Sequence, residues 1–497
     1  MATVAGHTMR AMRPILVALL SALAFAAAGC GSEDVGAGGV GAAEMLKAGA
    51  LVYWETETDP ESDQWKQVEE LLGRFPDGDK WIAELKKEFE GETKVTWEGD
   101  VEPALGEQVA VAVYAKSLQD VSFVGLTKPE DTGKTVALVQ KLNASDDTED
   151  DAVTRVVDDW VVISDKQTSI DSALVRGDGG SLADDEGFKG GMAELPDDTL
   201  SRVWFDVAAA LDAFGDADPA TAKSLRMLGL DKIDFAGAWA KARDDGAEIA
   251  GALRGEGADK LFGAAEAYKS SLLDLVPADA FAFTTFQGEG TTAQLRDLRS
   301  NPLYGMALQG FEEELGVEID DVLNLFRGEV AFYAAPGVPI PEVALLLEAD
   351  DPAEARQTAD RLLRTVAERA GGEVTEDGEV TTAVFSGFTV NLATVESTVV
   401  LTTAKSAIAQ MGGQGDKLSD SARYKDALEA AGVPADYTGL AYIDLSEALE
   451  LIMGFASTSG EDVPPEISRN LEPLESVVAY GAKDGDLGKA LFFLEIE

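Results

Sequence analysis

Gly133-Lys134-Thr135 follows the apolar run Val121–Leu126, so a strand, a loop and the Gly-Lys-Thr end of a phosphate cradle stand in order. A phosphate-binding loop also needs a glycine five residues before that Gly, so that backbone amides can wrap the phosphates. Position 128 holds Lys128, and the expected element is instead a helix N-terminus with a solvated lysine. Carboxylates are the other abundant reactive group, with 91 Asp and Glu. Glycoside hydrolysis needs two of them at a set separation, about 5–5.5 Å or about 6.5–9.5 Å. Asp206 and Asp444 are the acids to inspect first, because each closes an apolar strand and precedes a helical pattern. That position favours helix N-capping over catalysis. No segment matches the D-x-[DN]-x-[DN]-G-x5-E calcium loop, and neither G-x-S-x-G nor S-x-x-K occurs. Irregular acidic loops such as Asp184-Asp185-Glu186 leave room for weak calcium binding.

The N-terminus carries the most specific chemistry. Arg10 and Arg13 precede the apolar run Ile15–Ala28, which ends on small residues before Cys30, the single cysteine. A positive flank, a short apolar stretch and a small-residue exit describe a secretory signal. About 14 apolar residues fall short of the roughly 17–25 that a membrane span needs. Ala27-Ala28-Gly29-Cys30 resembles the lipobox of bacterial lipoproteins, with Ala27 where that family most often has Leu. The resemblance implies cleavage before Cys30, a diacylglycerol thioether on its sulfur and an acylated new amine. One acyl chain anchors weakly, whereas two or three hold a protein to the bilayer. Gly31–Gly41 then has the composition of a flexible tether.

Charge and residue types exclude several classes of function. Lys and Arg total 40, giving a net charge of −51. Removing residues 1–29 takes away Arg10 and Arg13 and no acid, so the mature chain carries 38 − 91 = −53. Nucleic-acid binding runs on cationic side chains neutralising phosphates and is not expected. Anionic lipid heads should repel the body of the protein, so the lipid on Cys30 is the expected membrane contact. The one histidine, His7, lies in the signal segment. The mature chain therefore lacks the groups for Ser-His-Asp or Cys-His catalysis, His/Cys zinc sites or haem ligation by His or Cys. No cofactor is expected.

The elements repeat. Ala50–Glu57 aligns with Asp279–Phe286, placing Trp54 on Phe283; Leu105–Ala115 aligns with Arg327–Pro336; Asp158–Asp165 aligns with Glu396–Thr403. Leu182–Lys189 aligns with Leu418–Lys425, and Pro196–Leu211 with Pro434–Leu449, which matches Trp204 to Tyr442 and Asp206 to Asp444. Each half closes on a hairpin pattern, Phe235–Leu253 and Val477–Ile496. The expected plan is a signal peptide over 1–29, a Gly-rich tether over 30–42, module 1 over 43–257, a connecting segment over 258–271 and module 2 over 272–497.

Hairpins outnumber βαβ patterns, so the expected fold is α+β, each module a largely antiparallel sheet with helices packed on one face. A helix is expected after each central strand pair, with Pro129 or Pro352 in its first turn. In the second half its stripe reads Ala355, Ala359, Leu362, Val366, Ala370. All seven tryptophans lie in the first half. A sugar-stacking platform is one reading, but most match aromatics in the second half or sit on apolar helix faces, so core packing is expected. Trp160, matched to Thr398, is the one expected at the surface.

The segments Ala42–Glu61 and Trp97–Val113, downstream of a lipobox, are similar to a family of actinobacterial lipoproteins of unknown function. The resemblance implies membrane attachment and a repeated module, with no assigned activity. The expectation is a lipid-anchored extracytoplasmic binding or interaction protein without catalysis, whose partner is a protein or polymer of the cell envelope. The alternatives are a carboxylate-dependent cell-envelope hydrolase and a solute receptor with a cavity between modules.

Overall fold

Short runs of β-branched and aromatic residues separated by Gly, Asp and Asn build a hairpin-rich sheet. The computed structural model describes residues 41–497 except 118–119, 146–150, 176–179, 216–217, 228, 262–265, 290–291, 293–308, 311, 313–315, 338–339, 414 and 459–462. Cys30, the signal segment and nearly all of the tether lie outside the described residues. The chain divides into two compact units. One holds the chain up to Ala258 with Glu466–Pro473 and Ile496–Glu497; the other holds Asp259–Pro465 with Leu474–Glu495.

The first unit contains β1 (Val52–Glu57), β2 (Gly106–Ser117), β3 (Asp120–Pro129), β4 (Val153–Val157), β5 (Trp160–Ser164), β6 (Ser201–Phe205), β7 (Phe235–Arg243) and β8 (Gly246–Arg254). Every pairing is antiparallel, in the order β4-β5-β3-β2-β1-β6-β7-β8. Up to Ala258, its α-helices of seven or more residues, among the described residues, are α1 (Asp63–Gly73), α2 (Gly78–Thr93), α3 (Thr132–Ser145), α4 (Gln167–Ala173), α5 (Glu186–Met192), α6 (Val207–Gly215) and α7 (Pro219–Met227). On the central strands Tyr53 lies opposite Ala112 and Trp204. Phe188 of α5 packs edge-on to both rings, 5.1 Å from Tyr53 and 5.3 Å from Trp204. Gly191, one turn later, allows that approach, since a Cβ there would sit 2.5 Å from Phe235 and 2.6 Å from Trp204 Nε1.

The same face buries an ion pair. Arg202 Nε donates to Glu55 Oε1, Arg202 Nη1 donates to Asp197 at 2.7 Å, and the Tyr53 hydroxyl donates to Glu55 Oε2 at 2.8 Å. Burial, reinforced by the Glu55 carboxylate, pushes the Tyr53 hydroxyl far above its ordinary value.

The second unit contains β9 (Ala282–Gln287), β10 (Glu329–Ala335), β11 (Glu342–Glu348), α8 (Pro352–Arg369), β12 (Glu373–Asp377), β13 (Val380–Val384), β14 (Thr389–Val395), β15 (Thr398–Thr402), α9 (Lys405–Met411), α10 (Ala422–Ala431), β16 (Gly439–Asp444), α11 (Leu445–Thr458), β17 (Leu474–Asp484) and β18 (Leu487–Ile496). Its antiparallel order runs β12-β13-β14-β15-β11-β10-β9-β16-β17, and β18 follows β17 across a turn at Gly485. Tyr424 of α10 packs edge-on to Tyr442 at 5.0 Å and to Phe283 at 6.4 Å. The buried Glu329 carboxylate accepts from the hydroxyls of Ser270, Ser271 and Thr285 and from the amides of Ser271 and Leu272.

Several expectations need local correction. Tyr53 lies opposite Trp204 and Phe283 opposite Tyr442, while Trp54 lies opposite Val203, so aligning Trp54 on Phe283 does not keep the register of Trp204 on Tyr442. The core face alternates with period two, which makes a one-residue offset a change of face. Pro129 ends β3, and α3 begins at Thr132; only Pro352 opens its helix. The buried residues of α8 are Thr358, Ala359, Leu363 and Ala367, while Val366 is exposed. Trp81, 37% exposed against Phe75, is the tryptophan at the surface, while Trp160 is half-buried. Trp65, Trp97, Trp204 and Trp239 are core.

Candidate functional site

The sequence-selected acids and the Gly-Lys-Thr run are absorbed by local structure. Asp131 Oδ1 accepts from the Gly133 amide at 2.9 Å, and the Thr135 hydroxyl, buried, donates to Ala104 O at 2.6 Å. A hydroxyl so engaged does not face a phosphate or its metal. Asp206 Oδ1 accepts from the Ala209 amide at 2.8 Å and Asp444 Oδ1 from the Glu447 amide at 3.0 Å, so both are helix caps, as expected. Arg423 also pairs with Asp444 at 3.1 Å. In the acidic loop, Asp184 forms a capping box with Ser181, and Asp185 caps α5 through the Phe188 amide. Among the described residues no group of three or more His, Cys, Asp or Glu side chains is placed to hold a metal ion. Likewise no helix among them is long and apolar enough to cross a membrane.

The feature left without a structural partner is a cavity in the first unit. Asp206 follows β6 and caps α6, whose sequence VAAALDAFG is apolar apart from Asp212. Val207, Ala210, Leu211 and Phe214 recur at i, i+3, i+4 and i+7, the spacing of one helical face. Asp218 caps α7 by accepting from the Thr221 amide at 3.1 Å and the Thr221 hydroxyl at 2.8 Å. Ala222 and Leu225 of α7 continue the apolar wall. The floor comes from Leu51, Val52, Phe205 and Ala236. Phe205 lies opposite Val52 and Ala236 on neighbouring strands, so these three share the sheet face alternate to that of Tyr53 and Trp204.

These groups enclose an open-mouthed cavity of about 310 Å³. A stripe of this spacing ordinarily seats against a filled core; here Leu211 is buried, and the half-buried Val207, Ala210 and Phe214 line the open cavity with it. A water takes roughly 30 Å³ of liquid volume, so the cavity has room for roughly ten heavy atoms. Phe205 is 38% exposed at its rim. Asp206 and Asp218 are among the lining residues, and an Asp212–Arg226 ion pair at 2.9 Å links α6 to α7. The lining has no nucleophile beyond the Thr221 hydroxyl, which donates to its own cap.

The cavity was missed in the sequence because an all-apolar short helix reads as core. In the structure α6 buries only Leu211 and Gly215 fully, although nearly every residue in it is apolar.

Among solved structures, three crystal forms of TP0453 resemble part of the chain. Forms III, I and IV are 13%, 12% and 12% identical, with TM-scores of 0.25, 0.25 and 0.24. The matches cover 44–46% of this chain and 78–81% of those chains. No curated protein matches. A family profile described as "Protein of unknown function (DUF3352)" matches residues 133–494, which runs from α3 into β18 and takes in α6, α7 and most of the cavity lining. The chain therefore belongs to the DUF3352 family of proteins of unknown function.

Proposed function

We propose that this is an extracytoplasmic binding protein, tethered to the membrane by lipid on Cys30, whose ligand-binding element is the apolar cavity between α6, α7 and the sheet. The observation that carries the reading is the cavity itself: an i, i+3, i+4, i+7 stripe lining roughly 310 Å³ of open space. Mostly apolar concave sites of about 300–1,000 Å³ are the usual form of small-molecule sites. The ligand is an apolar chain, bound without chemical change: among the described lining residues the Thr221 hydroxyl donates to Asp218, and the Asp206 and Asp218 carboxylates accept from helix N-terminal amides. The receptor reading thus gains on the hydrolase reading, whose leading acids are helix caps.

Attachment rests on the lipobox at Ala27–Cys30 and places the protein on the outer side of the membrane of an actinobacterial envelope. The two units are read as copies of one module. Their strand orders coincide when β1 is set on β9 and β6 on β16, the second unit adding the β12–β13 hairpin. Asp158 and Glu396 support this, each left-handed (φ 52° and 54°) at the same place in a two-residue turn.

Calorimetric titration of decanol into the mature chain tests the binding element. One saturable site is expected, lost in Ala210→Phe, whose ring fills the cavity. Binding unchanged by Ala210→Phe refutes it. Cys30→Ser should release the protein from the membrane fraction, and unchanged association would refute the tether.

A further inference from the structure

The cavity offers a ligand walls but no handle. Its polar lining members, Asp206, Asp218 and Thr221, cap α6 and α7, and every other lining side chain is apolar. Small-molecule sites ordinarily add a few placed polar groups that fix a ligand's orientation. A lining of this kind suits an apolar chain whose head is held elsewhere, by a covalent link. The protein has a residue for such a link in Cys30, eleven residues before Gly41. Eleven extended residues reach about 36–40 Å, and as a Gly-rich coil they span about 17–20 Å root-mean-square. Gly41 lies beside Trp160, where a Cβ on the glycine would sit 3.3 Å from the indole ring. Trp160 precedes Val161, which is in register with Thr127 of β3, Val109 of β2 and Thr56 of β1. Val52, on the cavity floor, is four residues from Thr56 along β1. At ~4.8 Å per strand and ~3.4 Å per residue, Trp160 and Val52 are about 20 Å apart in the sheet. The span of the tether matches that distance.

Resting on the cavity-binding and Cys30-lipid readings above, we propose that, away from a bilayer, the cavity holds one acyl chain of the protein's own anchor, its far end along Val207, Ala210, Leu211 and Phe214. Covalent delivery takes the place of the missing polar handle, because a tether whose span matches the distance raises the local concentration of the chain to the mM range. The cavity has room for roughly ten heavy atoms, whereas a bilayer covers the whole length of a longer chain and gains with every methylene. Membrane insertion therefore empties the cavity. The site opens to other apolar ligands only once the anchor is seated.

Because Cys30 is the single thiol, it can be alkylated selectively in the mature chain with a decyl group that ends in a diazirine. The product is irradiated in vesicle-free buffer beside an equal amount of isotope-labelled, unalkylated chain and mapped by peptide mass spectrometry. Labelling is expected within the alkylated chain, on Val207–Phe214 and Thr221–Leu225. A tethered competitor at roughly 1 mM should also weaken decanol binding about tenfold, for a site with a Kd of about 0.1 mM. Deleting Ser32–Gly39 leaves a reach of about 10–11 Å, so labelling of those peptides should be lost. The unalkylated deletion variant should bind decanol as the parent does, which shows that its cavity is intact. Labelling shared equally with the isotope-labelled chain, labelling elsewhere in the alkylated chain, or labelling that survives the deletion overturns the proposal. Failure of decanol to bind the unalkylated parent overturns the cavity reading, and this proposal with it. A parent that binds decanol while the alkylated chain leaves its own cavity unlabelled overturns this proposal alone.

Discussion

Replacing Arg202 by Met should destabilise the first unit more than any surface change in the chain. The Arg202 and Glu55 side chains are only 8% and 5% exposed, and among the described residues the guanidinium is the one cation paired with that carboxylate. Removing one member of a buried pair leaves an uncompensated charge and costs about 3–5 kcal/mol. With a urea m-value near 3 kcal/mol/M, the midpoint falls by about 1–2 M. Tryptophan emission reads this selectively, because all seven tryptophans precede Ala258 and lie in the first unit. The double variant Glu55→Leu with Arg202→Met removes both charges and should recover most of the loss. A residual of about 1–3 kcal/mol is expected from the buried Tyr53 hydroxyl, which then lacks its acceptor. Adding Tyr53→Phe should remove that residual. A cost below about 1 kcal/mol for Arg202→Met, typical of exposed pairs, would refute the reasoning; so would a double variant as unstable as the single one.

Gly191→Ala should cost about 1–3 kcal/mol by the same assay, because the new Cβ is driven into Phe235 and Trp204; an unchanged midpoint would mean that α5 moves aside freely. Burial raises the Glu57 carboxyl above its ordinary value, against backbone amides of Asp59 and Thr58 that lower it. A raised acid favours its protonated form in the fold, so its stabilising contribution is full below the ordinary carboxylate range and is lost as pH rises through the raised value. Glu57→Gln, whose Oε1 can still accept from the Thr58 and Asp59 amides, should thus be more stable than the parent at neutral pH. The difference should close on acidification, and lower stability at neutral pH would contradict the assignment. Asp185→Ala removes the cap on Phe188 N and should cost about 1 kcal/mol, against a few tenths for Asp185→Gly.

The α+β class and the dominance of antiparallel pairing were legible because hairpin turns leave local marks, such as Asp377-Gly378, where Gly378 takes φ 65° between β12 and β13. Phe188 and Tyr424 each pack edge-on to the central aromatics of their own unit. Face assignment was not: in Leu51-Val52-Tyr53-Trp54 every residue is apolar, so period two gives no signal and only the register against β2 and β6 decides it. The α8 stripe failed for a related reason, since adjacent Leu362-Leu363 and Val366-Ala367 make two helical faces equally apolar. The cavity was invisible because a sequence shows which face of a helix is apolar but not whether anything fills the space before it.

Photo-crosslinking with a decyl chain bearing a terminal diazirine, read out by peptide mass spectrometry of the mature chain, tests the central claim most directly. The account predicts saturable labelling on Val207–Phe214 and Thr221–Leu225, displaced by excess decanol and lost in Ala210→Phe. Labelling scattered over other apolar surface residues such as Ile249 and Met227, or undiminished by Ala210→Phe, would contradict it.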